Sequence, residues 1–223
     1  MKRAIRVLVL LAVGFGLTAC GGANVARQTA PEVLSVASKG APVALVPKYD
    51  VERVEVSVPR DLRVSEANVY YPLADIVWRG EPIGDRHRQV QTILQEGIGR
   101  GVQGMTSGRP VALEIRLERF HSLTEKTRYT FGGVHSIKFV LTVRDLETGI
   151  ALDGPRMVVA DVKGSGGSKA IAEEQMGRTM RVVITERLEQ VIRRELSQPV
   201  AVPQGAPVSQ GAAPATGTFA PLY

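Results

Sequence analysis

Hydrophobic and polar positions alternate with a period of two in three stretches of this chain and recur at spacings of three and four in two others. Val54, Val56 and Val58 alternate with Glu55 and Ser57, which predicts a first strand with one buried face. Val111, Leu113, Ile115 and Leu117 alternate with Ala112, Glu114, Arg116 and Glu118, and Ile137, Phe139, Leu141 and Val143 alternate with Lys138, Val140, Thr142 and Arg144. These two strands are expected to be antiparallel neighbours. Asp145-Leu146-Glu147-Thr148-Gly149 is a turn candidate in which glycine supplies the positive φ of a tight reversal. Met157 to Lys163 predicts a fourth strand, ended by Gly164-Ser165-Gly166-Gly167.

Val90, Ile93, Leu94, Ile98, Val102 and Met105 form one helical stripe, with Arg86, Arg88, Gln91, Gln95 and Arg100 facing elsewhere and Asp85 as the expected N-cap. Met176, Met180, Val183, Ile184, Leu188, Val191 and Ile192 form the stripe of a second, longer helix, for which Ser168 is the cap candidate. The order β-α-β-β-β-α predicts an α+β fold: a small, mostly antiparallel sheet of about four strands with two helices packed on one face.

Composition divides the remainder. Lys2, Arg3 and Arg6 precede an apolar run from Ile5 to Leu17, which is signal-peptide length and shorter than the ~20 residues a membrane span needs. Leu17-Thr18-Ala19-Cys20 then reads as a lipoprotein box, with Cys20 becoming the first mature residue and carrying acyl chains such as palmitate. It is the only cysteine, so no internal disulfide is available. The expected organisation is a signal peptide at 1–19, a lipidated cysteine and tether at 20–48, an α+β domain at 49–197, and a Pro/Ala/Gly-rich disordered tail at 198–223. Removing residues 1–19 lowers the formal charge from +6 to +3, because three basic residues and no acids leave with them. The basic balance is therefore weak support for nucleic-acid binding. Gly21 is not the aspartate that retains lipoproteins at the inner membrane, which favours the outer membrane, facing the periplasm.

The Leu-Thr-Ala-Cys box, the element order and the string Asp75-Ile76-Val77-Trp78-Arg79-Gly80-Glu81-Pro82 resemble small periplasmic lipoproteins of uncharacterised Gram-negative, alphaproteobacterial families, broadly like the auxiliary lipoproteins of envelope lipid-transport systems. The resemblance implies docking on envelope machinery and carries no catalytic residues with it.

Chemistry is sparse. His87, His121 and His135 lack a metal-binding array, and a zinc site would need three or four convergent ligands, with Cys20 unavailable once acylated. His121, His135 and Glu125 could meet across a hairpin, but scattered histidines are the simpler reading. Gly164-Ser165-Gly166-Gly167-Ser168-Lys169 lacks the phosphate-loop frame and reads as a strand-to-helix connection, with anion binding at the helix N-terminus as the alternative. No enzyme, cofactor or metal is expected. The functional candidate is instead the stretch from Tyr70 to His87, which gathers Tyr70, Tyr71, Trp78, Arg79, Glu81 and Arg86 in a chain otherwise poor in aromatics. Tyr, Trp and Arg dominate interface hot spots, so a protein partner of the envelope is expected there. The structural alternative is that Tyr71 and Trp78 plug one end of the core, with Arg79 paired to Glu81 or Asp85. The segment from Phe120 to Phe131 forms a second polar-aromatic loop, beside the first or at the opposite end. A non-enzymatic binding or accessory lipoprotein is the expected function, and a carrier holding a lipid or small apolar ligand between sheet and helices is the alternative.

Overall fold

The computed structural model describes residues 44–45, 48–198 and 200–201. Cys20 and the expected signal peptide lie outside the described residues, as do most of the tether and tail. The elements run β1 (Ala44–Leu45), β2 (Tyr49–Ser57), β3 (Ile76–Val77), α1 (Arg86–Val102), β4 (Arg109–His121), α2 (Glu125–Arg128), β5 (Gly133–Asp145), β6 (Ala151–Val159), β7 (Val162–Gly164), α3 (Gly167–Gln175), α4 (Met180–Leu196) and β8 (Val200–Ala201). The class is α+β, with a mixed six-stranded sheet and four helices among the described residues, more than the four strands and two helices the periodicity predicts.

Two long antiparallel strands, β4 and β5, form the middle of the sheet, and each carries two short partners end to end along its outer edge. β2 and β3 lie along β4, while β6 and β7 lie along β5. The predicted pairing of the second and third strands holds, and Gly149, at φ 70°, closes the hairpin that follows them. The expectation of a mostly antiparallel sheet needs correction, because β2 and β3 are both parallel to β4. α1 is the reason for the first: a helix between two strands returns the chain to the end where it began, so the next strand runs the same way.

Three further differences have local causes. A bulge between Leu117 and Arg119 resets the alternation, so Phe120 rather than Arg119 points into the core and the strand continues to His121. The predicted fourth strand is two, because at Ala160-Asp161 the Asp161 carboxylate accepts the Ile137 N–H in place of a backbone carbonyl. The predicted second helix is also two. Gly177, at φ 80°, ends α3 with paired bonds from the Gly177 and Arg178 N–H groups to the carbonyls of Glu174 and Glu173, and the Thr179 hydroxyl then accepts the Val182 N–H to start α4. Met176 thus stands exposed at the break instead of joining the apolar stripe.

α1 starts at Asp85 as expected, its carboxylate accepting the Arg88 N–H. α1 and α4 lie side by side, running in the same sense, with Val90, Ile93, Leu94 and Ile98 of one and Ile184, Leu188, Val191 and Ile192 of the other fully buried. They meet Val111, Leu113, Ile115, Leu117 and Phe120 of β4 and Ile137, Phe139, Leu141 and Val143 of β5. No helix among the described residues is long and apolar enough to cross a membrane.

Candidate functional site

The connection between β2 and α1 wraps over the end of the sheet where β4 finishes, and its backbone is tied down by α2. The Thr124 and Thr127 hydroxyls donate to the carbonyls of Val69 and Tyr70 at 2.8 Å each, and the Asn68 side chain accepts the Lys126 N–H at 2.9 Å. The two polar-aromatic segments therefore lie beside each other.

A chain of ions braces them. Arg86, 3% exposed, grips both oxygens of Glu66 at 2.6 and 2.9 Å and also donates to the carbonyls of Glu81 and Pro82. Arg79 bridges the other side, paired with Glu66 and with Glu125 and donating to the Glu66 carbonyl. Hydrogen bonds from Arg86, reinforced by the charges of Arg86 and Arg79 against the opposing effect of burial, hold the Glu66 carboxyl below its ordinary range. Glu81 pairs with Arg181 of α4, which also holds Glu96 of α1. Asp85 accepts a bidentate grip from Arg60 while capping α1.

The six residues predicted for partner binding thus fall at three depths. Trp78 is fully buried, edge-on to Phe120 at 5.8 Å, and Gly80 lies so close that a Cβ there would come within 2.6 Å of the indole ring. Trp78 and Arg86 hold the loop from inside. Arg79 and Glu81 serve as ion-pair braces. Tyr70 and Tyr71 face outward: Tyr70 stacks on Phe131 at 5.1 Å with the Lys126 ammonium 4.5 Å above its ring, and Tyr71 stacks on His121 at 4.6 Å while accepting a hydrogen bond from Arg119. Leu73 and Ile83, which the sequence reading passed over, are the most exposed large apolar side chains of this pole at 85% and 79%. Phe131 joins them at 71%. The signal for Leu73 and Ile83 was their isolation, an apolar residue beside proline or glycine with no periodic partner.

His121 donates its Nε2–H to the Pro72 carbonyl at 2.9 Å, and its pKa is pushed below the ordinary value, chiefly by burial. His135 lies on the neighbouring strand, bonded at Nδ1 to Ser122, and Glu125 is engaged with Arg79. No group of three or more metal-ligating side chains gathers among the described residues. The interval between the sheet and α1 and α4 is filled by side chains with no solvent exposure, which weighs against a carrier holding its ligand there.

Residues 49–211 match the model of a family of unknown function, DUF6778. The chain belongs to DUF6778. No curated protein matches it. Among solved structures, this DUF6778 chain is similar to a Xanthomonas campestris protein of family DUF330, at 13% identity over 68% of this chain and 85% of that one, with a TM-score of 0.41. It is also similar to a candidate lipoprotein of Caulobacter crescentus, at 15% identity over 65% and 87% of the two chains with a TM-score of 0.32, and to the PelC dodecamer of Paraburkholderia phytofirmans, at 15% identity over 69% and 90% with a TM-score of 0.33.

Proposed function

We propose that this protein is an outer-membrane lipoprotein, anchored through Cys20 and facing the periplasm, whose domain is a non-enzymatic docking component of an envelope assembly or transport complex. The observation that carries the reading is the braced aromatic pole. Tyr70, Tyr71, Leu73 and Ile83 are exposed on a loop that four arginines, Arg60, Arg79, Arg86 and Arg181, hold by ion pairs, and Phe131 is exposed beside it. A surface ordered before binding loses little entropy when a partner seats on it, and exposed apolar side chains rimmed by charge are the composition of an interface. The lipoprotein box and the resemblance to uncharacterised alphaproteobacterial lipoproteins, broadly like the auxiliary lipoproteins of envelope lipid-transport systems, make such a complex the first place to seek the partner.

Crosslinking in intact envelopes followed by pull-down tests this. Leu73→Glu with Ile83→Glu, both at exposed positions, should cut recovery of the partner by about tenfold or more, the effect of losing hot-spot contacts. The melting temperature should stay within error of the parent. Undiminished recovery with the fold intact would remove this surface from consideration. Cys20→Ser should abolish acylation by mass spectrometry and release the protein from the outer-membrane fraction; retention there would refute the anchor.

A further inference from the structure

We infer that the cavity between the end of α2, the first residues of β5 and the β7–α3 connection is a binding site for a phosphoryl oxyanion, held by Arg128, Lys163, Lys169 and the first-turn amides of α3. The cavity measures about 410 Å³. The site goes beyond the docking role and shares only Phe131 with that surface.

Closely packed glycines build the floor. Gly164-Ser165-Gly166-Gly167 lies directly on Phe131-Gly132: a Cβ at Gly166 would fall 2.6 Å from the Phe131 carbonyl, and one at Gly164 would fall 2.7 Å from Nε2 of His135. Side chains are excluded, so the start of α3 is set against the cavity. The N-cap position is Gly166, which has no side chain to accept the free N–H groups of the first turn. Gly166 and Lys169 line the cavity, so the positive end of the helix borders it.

Arg128 forms part of the cavity wall. Arg128 is 4% exposed, yet its Nη2 reaches the Ala170 carbonyl and the Glu174 carboxylate only at 3.5 Å each, and its Nε has no partner among the described residues. A buried guanidinium with unmet donors is costly, and an anion in the adjoining cavity is the group that offsets the cost. Lys163, Lys169 and Arg178 also line it, the last already paired with Glu186. Glu173 is the one acid on the wall, and it is occupied by the Ser165 hydroxyl at 2.9 Å and by Lys169 at 3.9 Å. His135 adds no charge: burial, aided by Arg128, pushes its pKa down to about 4. Its Nδ1 accepts the Leu123 N–H, which leaves the ring proton on Nε2, the nitrogen nearest Gly164.

A guanidinium, two lysines and the start of α3 border the cavity, more donors than the two oxygens of a carboxylate use. A tetrahedral phosphoryl group with three free oxygens matches them. The cavity also leaves room for whatever the phosphoryl group is attached to, so a free phosphate and the headgroup of a phospholipid share the required chemistry.

The test uses the full chain in non-ionic detergent. Inorganic phosphate should shift the His135 imidazole NMR signals saturably and raise the melting temperature. Lys163→Ala with Lys169→Ala should weaken that binding by about tenfold through the loss of charge-assisted bonds, and Arg128→Gln should remove it. The double lysine variant changes only exposed side chains, so it decides the matter if the Arg128 variant does not fold. Leu73→Glu with Ile83→Glu should leave phosphate binding unchanged, which separates failure here from failure of the docking surface. Short-chain phosphatidic acid that binds more tightly than phosphate and is displaced by it supports a headgroup; equal affinity supports a free phosphate or soluble phosphoester. Absence of a saturable response to both, or a response that the lysine variant leaves unchanged, would overturn the site.

Discussion

His135 is almost wholly enclosed, and its neutrality has a consequence for stability. Its pKa falls from an ordinary 6.5 to about 4, with burial the larger cause and the charge of Arg128 the lesser. Between those values the unfolded chain holds a proton that the folded chain does not. The stabilisation is therefore complete above about pH 6.5 and is lost as pH falls toward about 4, at no more than about 1.4 kcal/mol per pH unit. Urea midpoints measured from pH 7 to pH 4 should decline accordingly, and His135→Gln should flatten the slope. Asp145 acts lower on the scale: hydrogen bonds from Thr148, and secondarily from Arg109, lower its pKa from 3.8 to about 2, so its contribution disappears between about pH 4 and pH 2. The main partner of Asp145, Thr148, stands three positions away in the predicted turn, whereas the behaviour of His135 could not be read from the chain, because it depends on how deeply the fold encloses the ring. The same holds for Trp78. Its rarity singled it out, but its depth is set by Phe120, 42 positions away by numbering, and by Gly80 lying against its ring. Tyr70 and Tyr71 stayed outside, Tyr70 stacked on the exposed Phe131 and Tyr71 lying over the buried His121.

α1 and α4 approach closely because α1 carries glycine where the two meet. A Cβ at Gly97 would lie 2.7 Å from that of Leu188, and one at Gly101 would lie 2.7 Å from the Glu189 carbonyl and against Ile192. Gly99, on the same helix, has nothing within 4 Å. Alanine should therefore act in opposite senses at the two positions. Gly99→Ala gains helix propensity and should stabilise by about 0.5–1 kcal/mol. Gly101→Ala gains the same propensity but forces the helices apart, and overpacking of this kind costs about 1–3 kcal/mol. Thermal melts of the two variants should move in opposite directions; a shared direction would show that the contact is not rigid. Periodicity revealed both helices because their apolar stripes are long. It merged α3 with α4, although Gly177 and Thr179 are the usual stop and start residues, since Met176 and Met180 happened to continue the spacing across the break. β3 stayed hidden because two residues have no period, and its pairing with Phe120 and His121 exists only in three dimensions.

The domain formed by the described residues has two poles. Alternation revealed which residues face the core but not that β2 runs parallel to β4, since direction depends on the crossover helix and not on side-chain spacing. At one pole β2 begins beside Arg109, and β1 pairs with β8, so the chain enters and leaves the domain together. At the other lie β3, α2, the aromatic loop and the cationic cavity, separated from the first by the length of β4, 13 residues or about 43 Å. Under the proposed anchoring and docking, a partner held at the far pole pulls against the lipid through β2 and β4, neighbours drawn in opposite directions along their own axes. Ladder bonds cross between strands, so such a load must shear many of them at once and cannot part them one by one. The protein is then a mechanical strut. In a single-molecule pulling experiment, handles at positions 45 and 131 should resist to a higher force than handles at 45 and 200, where two facing pairs open in succession.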